Sequence, residues 1–205
     1  MTRTIGIYVY DDVEVLDFAG PYEVFTCASR VAAKMAPSGE ASSTEPPFRV
    51  RTIGAGAAML RARAGLSVLP EADFAGAGKI DVLIVPGGVV TAELAKEEVI
   101  AWIAATAKEA ELTASVCTGA FLLARAGLLD GQEATTHWED VADLSAAFPK
   151  VLVRDKRRWI DNGAVVTSAG ISAGIDMSLH LVERLVGLEL ALRTARQMDY
   201  DWNQG

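Results

Sequence analysis

Short apolar segments alternate with longer helical patterns along this chain. Asp81–Val85 reads DVLIV and has almost no polar face, and Leu112–Val116 (LTASV) is of the same kind. A strand without a polar face is typical of a parallel sheet that helices cover on both sides. The repeated strand–helix order therefore predicts an α/β fold with a mostly parallel central sheet.

Weaker patterns predict the remaining elements of this fold. Strands are expected at Thr4–Tyr10 and Phe48–Ile53, and hairpins at Met59–Leu69 and around the turn Asp161-Asn162-Gly163. Helices are expected at Pro21–Lys34, Thr91–Ala110, Thr118–Ala126 and Trp138–Phe148, along the stripe Ile175–Val186, and at Leu188–Gln197. Pro21 is interpreted as the start of its helix, because proline is common in the first helical turn.

Length and charge restrict the class of protein further. The 205 residues fit one domain, 1–205, and the composition of 51% hydrophobic and 22% charged residues is that of a globular protein. A net charge of −8 argues against nucleic acid or an anionic membrane as a partner. No apolar run approaches the ~20 residues of a membrane span, and the acidic first twenty residues do not resemble a secretion signal. Two cysteines give no disulfide framework, so a cytoplasmic protein with free thiols is expected.

One stretch of low complexity interrupts these patterns, at residues 35–47 (MAPSGEASSTEPP). Its small, polar and proline-rich composition predicts a mobile loop. The simpler interpretation of this loop is a solvated connector between two elements. The alternative interpretation is a lid over a binding site.

The strongest chemical signal is the segment ASVCTGA at 114–120. A buried strand ends, Cys117 follows, and a helix begins at once, which is the arrangement of a nucleophile elbow at the edge of a parallel sheet. Unpaired N–H groups at the start of a helix favour a thiolate, so we expect the pKa of Cys117 to fall below its free value. The alternative is a buried structural cysteine, which is the expectation for Cys27 within its apolar helix.

Two further segments could contribute to a site at the same edge. Asp17 is an acid within the apolar segment LDFAGP. It either caps a helix or lies near Cys117, where burial would raise its pKa and allow it to move a proton. Gly87 and Gly88 follow a buried strand in the segment VPGG. Their backbone N–H groups could form an oxyanion pocket, unless the pair is a plain turn.

A serine-hydrolase pattern also occurs, in GISAG at 170–174. His180 is the only histidine that follows Ser172, and it lies too far along the same helix to reach it. Ser172 is therefore interpreted as a helix cap. His180 is expected to form surface ion pairs with Asp176 and Glu183 on its own helix.

The other candidate groups carry weaker signals. His137 could serve Cys117 as a base, although a structural role is favoured. Cysteine and histidine show no metal-ligand spacing, and neither a dinucleotide fingerprint nor a phosphate loop is present, so no metal and no cofactor are predicted. The basic run RDKRR at 154–158 is interpreted as a solvated hairpin tip.

Several of these motifs, taken in order, resemble the ThiJ/PfpI superfamily, relatives of class I glutamine amidotransferases. They are LDFAGP (16–21), VPGG (85–88), SVCTG (115–119), ATTHW (134–138) and GISAGID (170–176). The resemblance covers nearly the whole chain. It implies a flavodoxin-like sandwich with helices on both faces, a homodimer, and Cys117 as the reactive thiol.

Three features bear on the subfamily. Protease-like members have a histidine directly after the cysteine, where this chain has Thr118. Many members use a glutamate one position after Asp17, where this chain has Phe18. Asp17 with Cys-Thr-Gly resembles the isocyanide hydratase branch, and the same motifs resemble the sensor domains of AraC-type regulators. Because the chain ends at Gly205 without a helix-turn-helix module, a stand-alone enzyme is the preferred expectation.

The resemblance thus implies hydration of a small organic isocyanide to an N-substituted formamide. The thiolate would attack the isocyanide carbon to give a thioimidate, and the acid would supply a proton and then activate water. The implied residues are Cys117, Asp17 and Thr118 for catalysis and Gly87, Gly88 and Ile171 for binding of substrate or oxyanion. The alternatives are a small-molecule sensor without turnover and a thiol protein that senses oxidants or handles glyoxals.

Overall fold

A seven-stranded sheet forms the centre of the computed structural model, which describes residues 1–35 and 45–204. The strands are β1 (Arg3–Tyr8), β2 (Phe48–Gly54), β3 (Leu60–Arg61), β4 (Ser67–Val68), β5 (Ala72–Asp73), β6 (Val82–Val85), β7 (Leu112–Val116), β8 (Glu133–Ala134), β9 (Leu152–Val153), β10 (Trp159–Asp161) and β11 (Val165–Ser168). The order in the sheet is β10-β11-β7-β6-β1-β2-β5. Only the edge pair β10–β11 is antiparallel, so the prediction of a mostly parallel sheet is confirmed.

Two groups of helices flank this sheet. The helices are α1 (Val15–Met35), α2 (Thr91–Leu94), α3 (Glu97–Glu109), α4 (Gly119–Arg125), α5 (Val141–Ala147), α6 (Ala173–Leu185) and α7 (Leu188–Gln197). Helices α1, α6 and α7 pack against one another, and so do α2, α3 and α4. Short 3₁₀ turns occur at Arg63–Gly65 and Trp138–Asp140. No helix within the described residues is both long and apolar enough to cross a membrane.

The parallel register brings several strand ends to one edge. Val85 at the end of β6 is paired with Ser115 on β7, and Ser168 at the end of β11 is paired with Val116. The segments that follow β6, β7 and β11 therefore leave the sheet side by side. This edge is the place where α/β proteins bind ligands.

Helix α1 begins earlier than its proline suggests. The prediction of a start at Pro21 is wrong, because α1 begins at Val15 and contains Pro21 in its interior. The helix packs closely against α6 just before the proline: a Cβ on Gly20 would lie 3.0 Å from Ile175 Cγ1. The helix continues through Pro21, although this residue cannot donate a backbone hydrogen bond.

The prediction of a single helix at Thr91–Ala110 is also wrong, because the segment forms two helices, α2 and α3, with a break at Lys96. The backbone of Lys96 is extended there, with φ −89° and ψ 97°. Buried Glu93 accepts a hydrogen bond from the Tyr8 hydroxyl, and Lys96 Nζ lies 2.6 Å from its other oxygen. Lys96 thus supplies the cation for a carboxylate that would otherwise be buried without one.

Most other predicted elements are confirmed. Strand β7 and helix α7 have the predicted bounds, and the predicted hairpins form as β3–β4 and β10–β11. The loop expected near 35–47 falls largely at 36–44, outside the described residues. The predicted helix at Trp138–Phe148 is a 3₁₀ turn followed by α5.

Candidate active site

Cys117 lies in the turn between β7 and α4, where its φ is +54°. A residue other than glycine rarely adopts this left-handed backbone conformation, which costs about 1–3 kcal/mol and persists only where neighbours fix the backbone. The Cys117 N–H donates to the carbonyls of Ser168 and Ala169 at 3.2 and 3.0 Å. Its carbonyl accepts from the Thr136 hydroxyl at 2.9 Å. The predicted strand–turn–helix elbow is therefore present, and neighbouring segments hold it from two sides.

Gly119 makes this sharp turn possible. A Cβ at this position would lie 2.0 Å from the carbonyl oxygen of Val85 on the neighbouring strand. Since that obstacle is backbone, it cannot rotate away as a side chain would. The first turn of α4 can approach β6 only without a side chain here.

Replacement of Gly119 by alanine is expected to lower the free energy of unfolding by about 1–3 kcal/mol, because the new methyl group forces the elbow away from β6. Gly56→Ala is the matched control, since a Cβ there meets nothing within 4 Å. Urea denaturation of both variants measures the difference. Equal stability of the two variants would show that the turn relaxes freely.

Asp17 lies at the same edge, fully buried in the first turn of α1. Gly87 N–H donates to its Oδ2 at 3.0 Å, so the carboxylate binds the loop after β6. The expectation that Asp17 could be a helix cap is wrong, because it is the third residue of α1. Its other oxygen, Oδ1, is buried and has no hydrogen-bond partner within the described part of the chain. A buried carboxylate oxygen without a hydrogen-bond partner is costly.

Thr118 and Gly88 form a reciprocal pair beside it. The Thr118 hydroxyl accepts from Gly88 N–H and donates to Gly88 C=O, both at 2.9 Å. Together with the bond from Gly87 to Asp17, this occupies both amides that were expected to face an oxyanion. That expectation for Gly87 and Gly88 is wrong in this structure, in which the two glycines position the acid and the threonine.

Burial raises the pKa of both acids at this site. The pKa of Asp17 is raised to about 7, mainly by burial and partly by the charge of Glu14, although the Gly87 N–H lowers it. The pKa of Cys117 is raised to about 12, mainly by burial and then by the charge of Asp17. The amide and hydroxyl of Thr118 act in the opposite direction but are weaker. The expected fall in the thiol pKa is therefore wrong, because burial exceeds the effect of the helix start.

The two groups titrate as a pair, since each charge affects the other. Below about pH 7 the carboxyl and the thiol both hold a proton. Above that value the pair holds one proton, which resides mainly on sulfur. Transfer of this proton to Asp17 produces a thiolate next to a neutral acid, which is a nucleophile paired with a proton donor.

An open cleft of about 670 Å³ gives access to the thiol. We call it the Cys117 cleft; it is lined by Glu14, Arg63, Ala64, Gly88, Cys117, Thr118, His137, Glu139, Asp140 and Ile171. Cys117 is 7% exposed, so the sulfur lies at the bottom of a reachable cleft and not within a sealed core. The structure thus brings Ile171 and Thr118 to the same cavity as the thiol. Asp17 does not line the cavity but is buried next to the thiol.

His137 lines this cleft without bonding to the thiol. Its Nδ1 accepts from Glu139 N–H at 3.4 Å and lies 3.4 Å from the Asp140 carboxylate. Within residues 1–35 and 45–204, no hydrogen bond joins the ring to Cys117. The acidic side chain that interacts with the Cys117 thiol is Asp17.

The remaining candidates have other roles. His180 pairs with Asp161 at 2.7 Å, so the predicted pairing with Asp176 and Glu183 is wrong. Buried Asp176 instead forms an ion pair with Arg158, whose side chain is partly exposed, so the basic run is not only a solvated tip. Ser172 occupies the cap position of α6, but its side chain makes no capping hydrogen bond. In the described ranges, no three His, Cys, Asp or Glu side chains are grouped as a metal site would require.

Sequence reasoning missed two residues at this site. The hydroxyl of buried Tyr10 donates to Pro86 C=O at 3.0 Å, and the same peptide group donates its Gly87 N–H to Asp17. Arg63 reaches the cleft from the β3–β4 hairpin, 3.6 Å from Glu14. The position of Tyr10 at the end of the predicted first strand was a usable signal, whereas nothing local marked Arg63.

A cysteine on a strained strand–helix turn, with a buried acid at the edge of a parallel sheet, defines a class of α/β proteins with a nucleophile elbow. The chain belongs to the DJ-1/PfpI family, whose model matches residues 3–184. This match confirms the resemblance and the flavodoxin-like fold that its motifs implied.

Individual relatives differ in kind. Isonitrile hydratase of Pseudomonas putida is 32% identical over 201 residues, which are 98% of this chain and 79% of that protein. The HTH-type transcriptional regulator GbdR of Pseudomonas aeruginosa is 30% identical over 199 residues, 97% of this chain, which spans only 51% of the regulator. A crystal structure of a THiJ/PfpI family protein from Pseudomonas syringae aligns with a TM-score of 0.84 and 26% identity, covering 99% of this chain and 77% of the other.

Proposed function

We propose that this protein hydrates a small organic isocyanide to an N-substituted formamide, with Cys117 as the nucleophile. The observation that carries the proposal is the buried carboxylate of Asp17, which interacts with a Cys117 thiol that opens into the Cys117 cleft. An isocyanide carbon must accept both a nucleophile and a proton, and this pair supplies both from one side. The similarity to isonitrile hydratase supports the same reaction.

The first half of the reaction joins sulfur and carbon. Asp17 takes the proton of the Cys117 thiol, and the thiolate attacks the terminal carbon of R–N≡C. Asp17 returns that proton to the same carbon, which gives the thioimidate R–N=CH–S–Cys117. The Thr118 amide, which already interacts with the sulfur, stabilises the thiolate as the proton leaves.

The second half consumes one water molecule. Asp17, again ionised, takes a proton from water while the hydroxide adds to the thioimidate carbon, and it passes that proton to the nitrogen. The intermediate is R–NH–CH(OH)–S–Cys117, whose hydroxyl carries the second proton of the water. The C–S bond then breaks and releases R–NH–CHO. The remaining proton returns to sulfur, so the thiol and carboxylate are restored and no oxidant, reductant or metal enters the balance.

The direct test is incubation of the purified protein with phenyl isocyanide while formanilide is followed by absorbance and by NMR. Catalytic appearance of formanilide is expected. Mass spectrometry of an acid-quenched sample is expected to show an adduct on the peptide that contains Cys117. Cys27→Ala is the matched control, since this second cysteine is buried in α1 away from the cleft and its loss should leave turnover intact. Absence of turnover in the wild type rejects the proposal.

A sensor domain is the second candidate, because the regulator GbdR is similar over 97% of this chain. A sensor would bind an isocyanide or another small molecule without releasing product. Saturable binding without formamide in the assay above would favour it. A redox-sensing thiol is a weaker third candidate, since a raised thiol pKa slows the reaction with peroxide.

Tyr10 is expected to tune Asp17 through the Pro86–Gly87 peptide. Its hydroxyl polarises the Pro86 carbonyl, which strengthens the hydrogen bond that the Gly87 N–H of the same peptide donates to the Asp17 carboxylate. Tyr10→Phe should therefore raise the pKa of Asp17 further and move the rising limb of kcat/KM to higher pH by a few tenths of a unit. A pH–rate profile measures the shift. An unchanged midpoint with lower stability would assign Tyr10 a purely structural role.

The homodimer implied by the family resemblance remains a proposal. Light scattering coupled to gel filtration would give the molar mass in solution. The value expected is twice the 21.7 kDa of the chain.

A further inference from the structure

A second pocket of about 490 Å³ adjoins the Cys117 cleft. We call it the Trp138 pocket; it is lined by Leu16, Thr135, Thr136, His137, Trp138, Asp155, Lys156, Arg157, Arg158, Ala169, Gly170, Ile171, Ser172 and Ala173. His137 and Ile171 line both cavities, so these two side chains form the shared boundary. The mechanism described above uses nothing else in this pocket.

The floor of the Trp138 pocket is bonded to the elbow itself. Thr136 donates its hydroxyl to Cys117 C=O at 2.9 Å, and Ala169 C=O accepts from Cys117 N–H at 3.0 Å. The N–H of Ala169 in turn donates to Arg158 C=O at 2.9 Å. A group bound in this pocket therefore contacts segments that are hydrogen bonded directly to Cys117.

The walls of the pocket combine apolar surface with positive charge. Trp138 is 72% exposed and Leu16 is 40% exposed, so both offer apolar area to a ligand. Lys156 and Arg157 form no ion pair within the described residues, whereas Arg158 is bound to Asp176. The one opposing carboxylate, Asp155, accepts the Lys156 backbone N–H at 2.7 Å.

The charge of the two cavities differs in sign. The Cys117 cleft carries the carboxylates of Glu14, Glu139 and Asp140 against the single cation Arg63 and the His137 ring. The Trp138 pocket carries two unpaired cations in a protein whose net charge is −8. An anionic substituent is repelled from the first cavity and attracted to the second.

We propose that the Trp138 pocket binds the substituent of the isocyanide and that this substituent is an apolar or aromatic spacer ending in a carboxylate. The inference rests on the proposed function. The spacer packs on Leu16 and Trp138, the carboxylate binds Lys156 and Arg157, and the isocyano carbon is directed past Ile171 to Cys117. Charged hydrogen bonds to the two cations then select anionic substrates over neutral ones.

The test compares para-isocyanobenzoate with phenyl isocyanide, first on the wild type and then on Lys156→Ala/Arg157→Ala. The wild type is expected to hydrate the carboxylate substrate with a kcat/KM about tenfold higher. The double variant should lose that preference while retaining phenyl isocyanide turnover within about twofold. Arg49→Ala/Lys108→Ala is the matched control, since it removes the same two charge types from exposed positions that line neither cavity.

A second measurement is independent of turnover. Calorimetry with Cys117→Ala compares the product analogues para-formamidobenzoate and formanilide, with and without the Lys156→Ala/Arg157→Ala change. The pocket is supported if para-formamidobenzoate binds more tightly than formanilide and if this difference depends on the two cations. This holds even if no isocyanide is hydrated, because absence of hydration rejects only the proposed function. The assignment is overturned if the wild type turns over and binds neutral and anionic compounds equally well. It is also overturned if the double variant loses activity and binding towards neutral and anionic compounds to the same extent.

Discussion

Cys117→Ala is expected to lower isocyanide hydration by about 10³-fold or more, because Cys117 is the only thiol among the described residues that line the Cys117 cleft. The only other cysteine, Cys27, is buried in helix α1. Alanine retains the Cβ and removes only the sulfur, so the strained backbone at φ +54° stays as it is. The variant should therefore fold, with an unfolding midpoint in urea close to that of the wild type.

Steady-state formamide production and intact-mass analysis would check this expectation together. The wild type should show a thioimidate adduct under acid quench, and Cys117→Ala should show none. Cys117→Ser provides a graded comparison, since a hydroxyl keeps the shape but is a far weaker nucleophile in this setting. Retention of more than a few per cent of activity in Cys117→Ala would mean that water is activated without covalent catalysis.

Local sequence signals were sufficient to predict the turn between strand and helix at Cys117. Leu112–Val116 has only small or apolar residues, and the change from strand to helix at Cys117 can be read directly from ASVCTGA. Asp17 and the loop at Gly87 were each predicted as candidates for a site at this edge, because parallel strands end at one edge. The structure adds that the two are hydrogen bonded at 3.0 Å.

The errors share a physical cause, which is that they depend on contacts between distant segments. Pro21 reads locally as a helix start, but α1 begins at Val15 and packs against α6 beside Gly20. The helix start at Cys117 favours a thiolate, but the depth of burial that raises its pKa is set by the whole fold. The partner of His180 is Asp161 on β10, which no spacing within α6 reveals.

The electrostatics of the Asp17–Cys117 pair lead to a second large effect. Asp17→Asn removes the group that moves the proton, so hydration should fall by about 10²–10⁴-fold. In the wild type, kcat/KM should rise with pH through about 7, as the pair passes from two protons to one. That rise should disappear in the variant. Alkylation of Cys117 by iodoacetamide at pH 8 should become faster, because the negative charge that raises the thiol pKa is gone.

Stability should change in the opposite direction to activity. The pKa of Asp17 is higher in the folded protein, at about 7, than in the unfolded chain, at about 3.9, so the folded state binds the additional proton between these values. Wild-type stability therefore falls as pH rises towards 7 and is level above it, whereas Asp17→Asn lacks this slope. The variant should gain roughly 2–3 kcal/mol relative to the wild type between pH 5 and pH 8.

Urea denaturation at both pH values measures this gain, and Asp143→Asn serves as the control because its carboxylate is exposed on α5. A gain in stability combined with loss of hydration and faster alkylation is the signature of a carboxylate kept buried for its chemistry. A helix-packing role for Asp17 predicts the reverse: lower stability at both pH values and a hydration rate that falls only in proportion to the unfolded fraction. The two roles are thus separated by the sign of one free-energy difference.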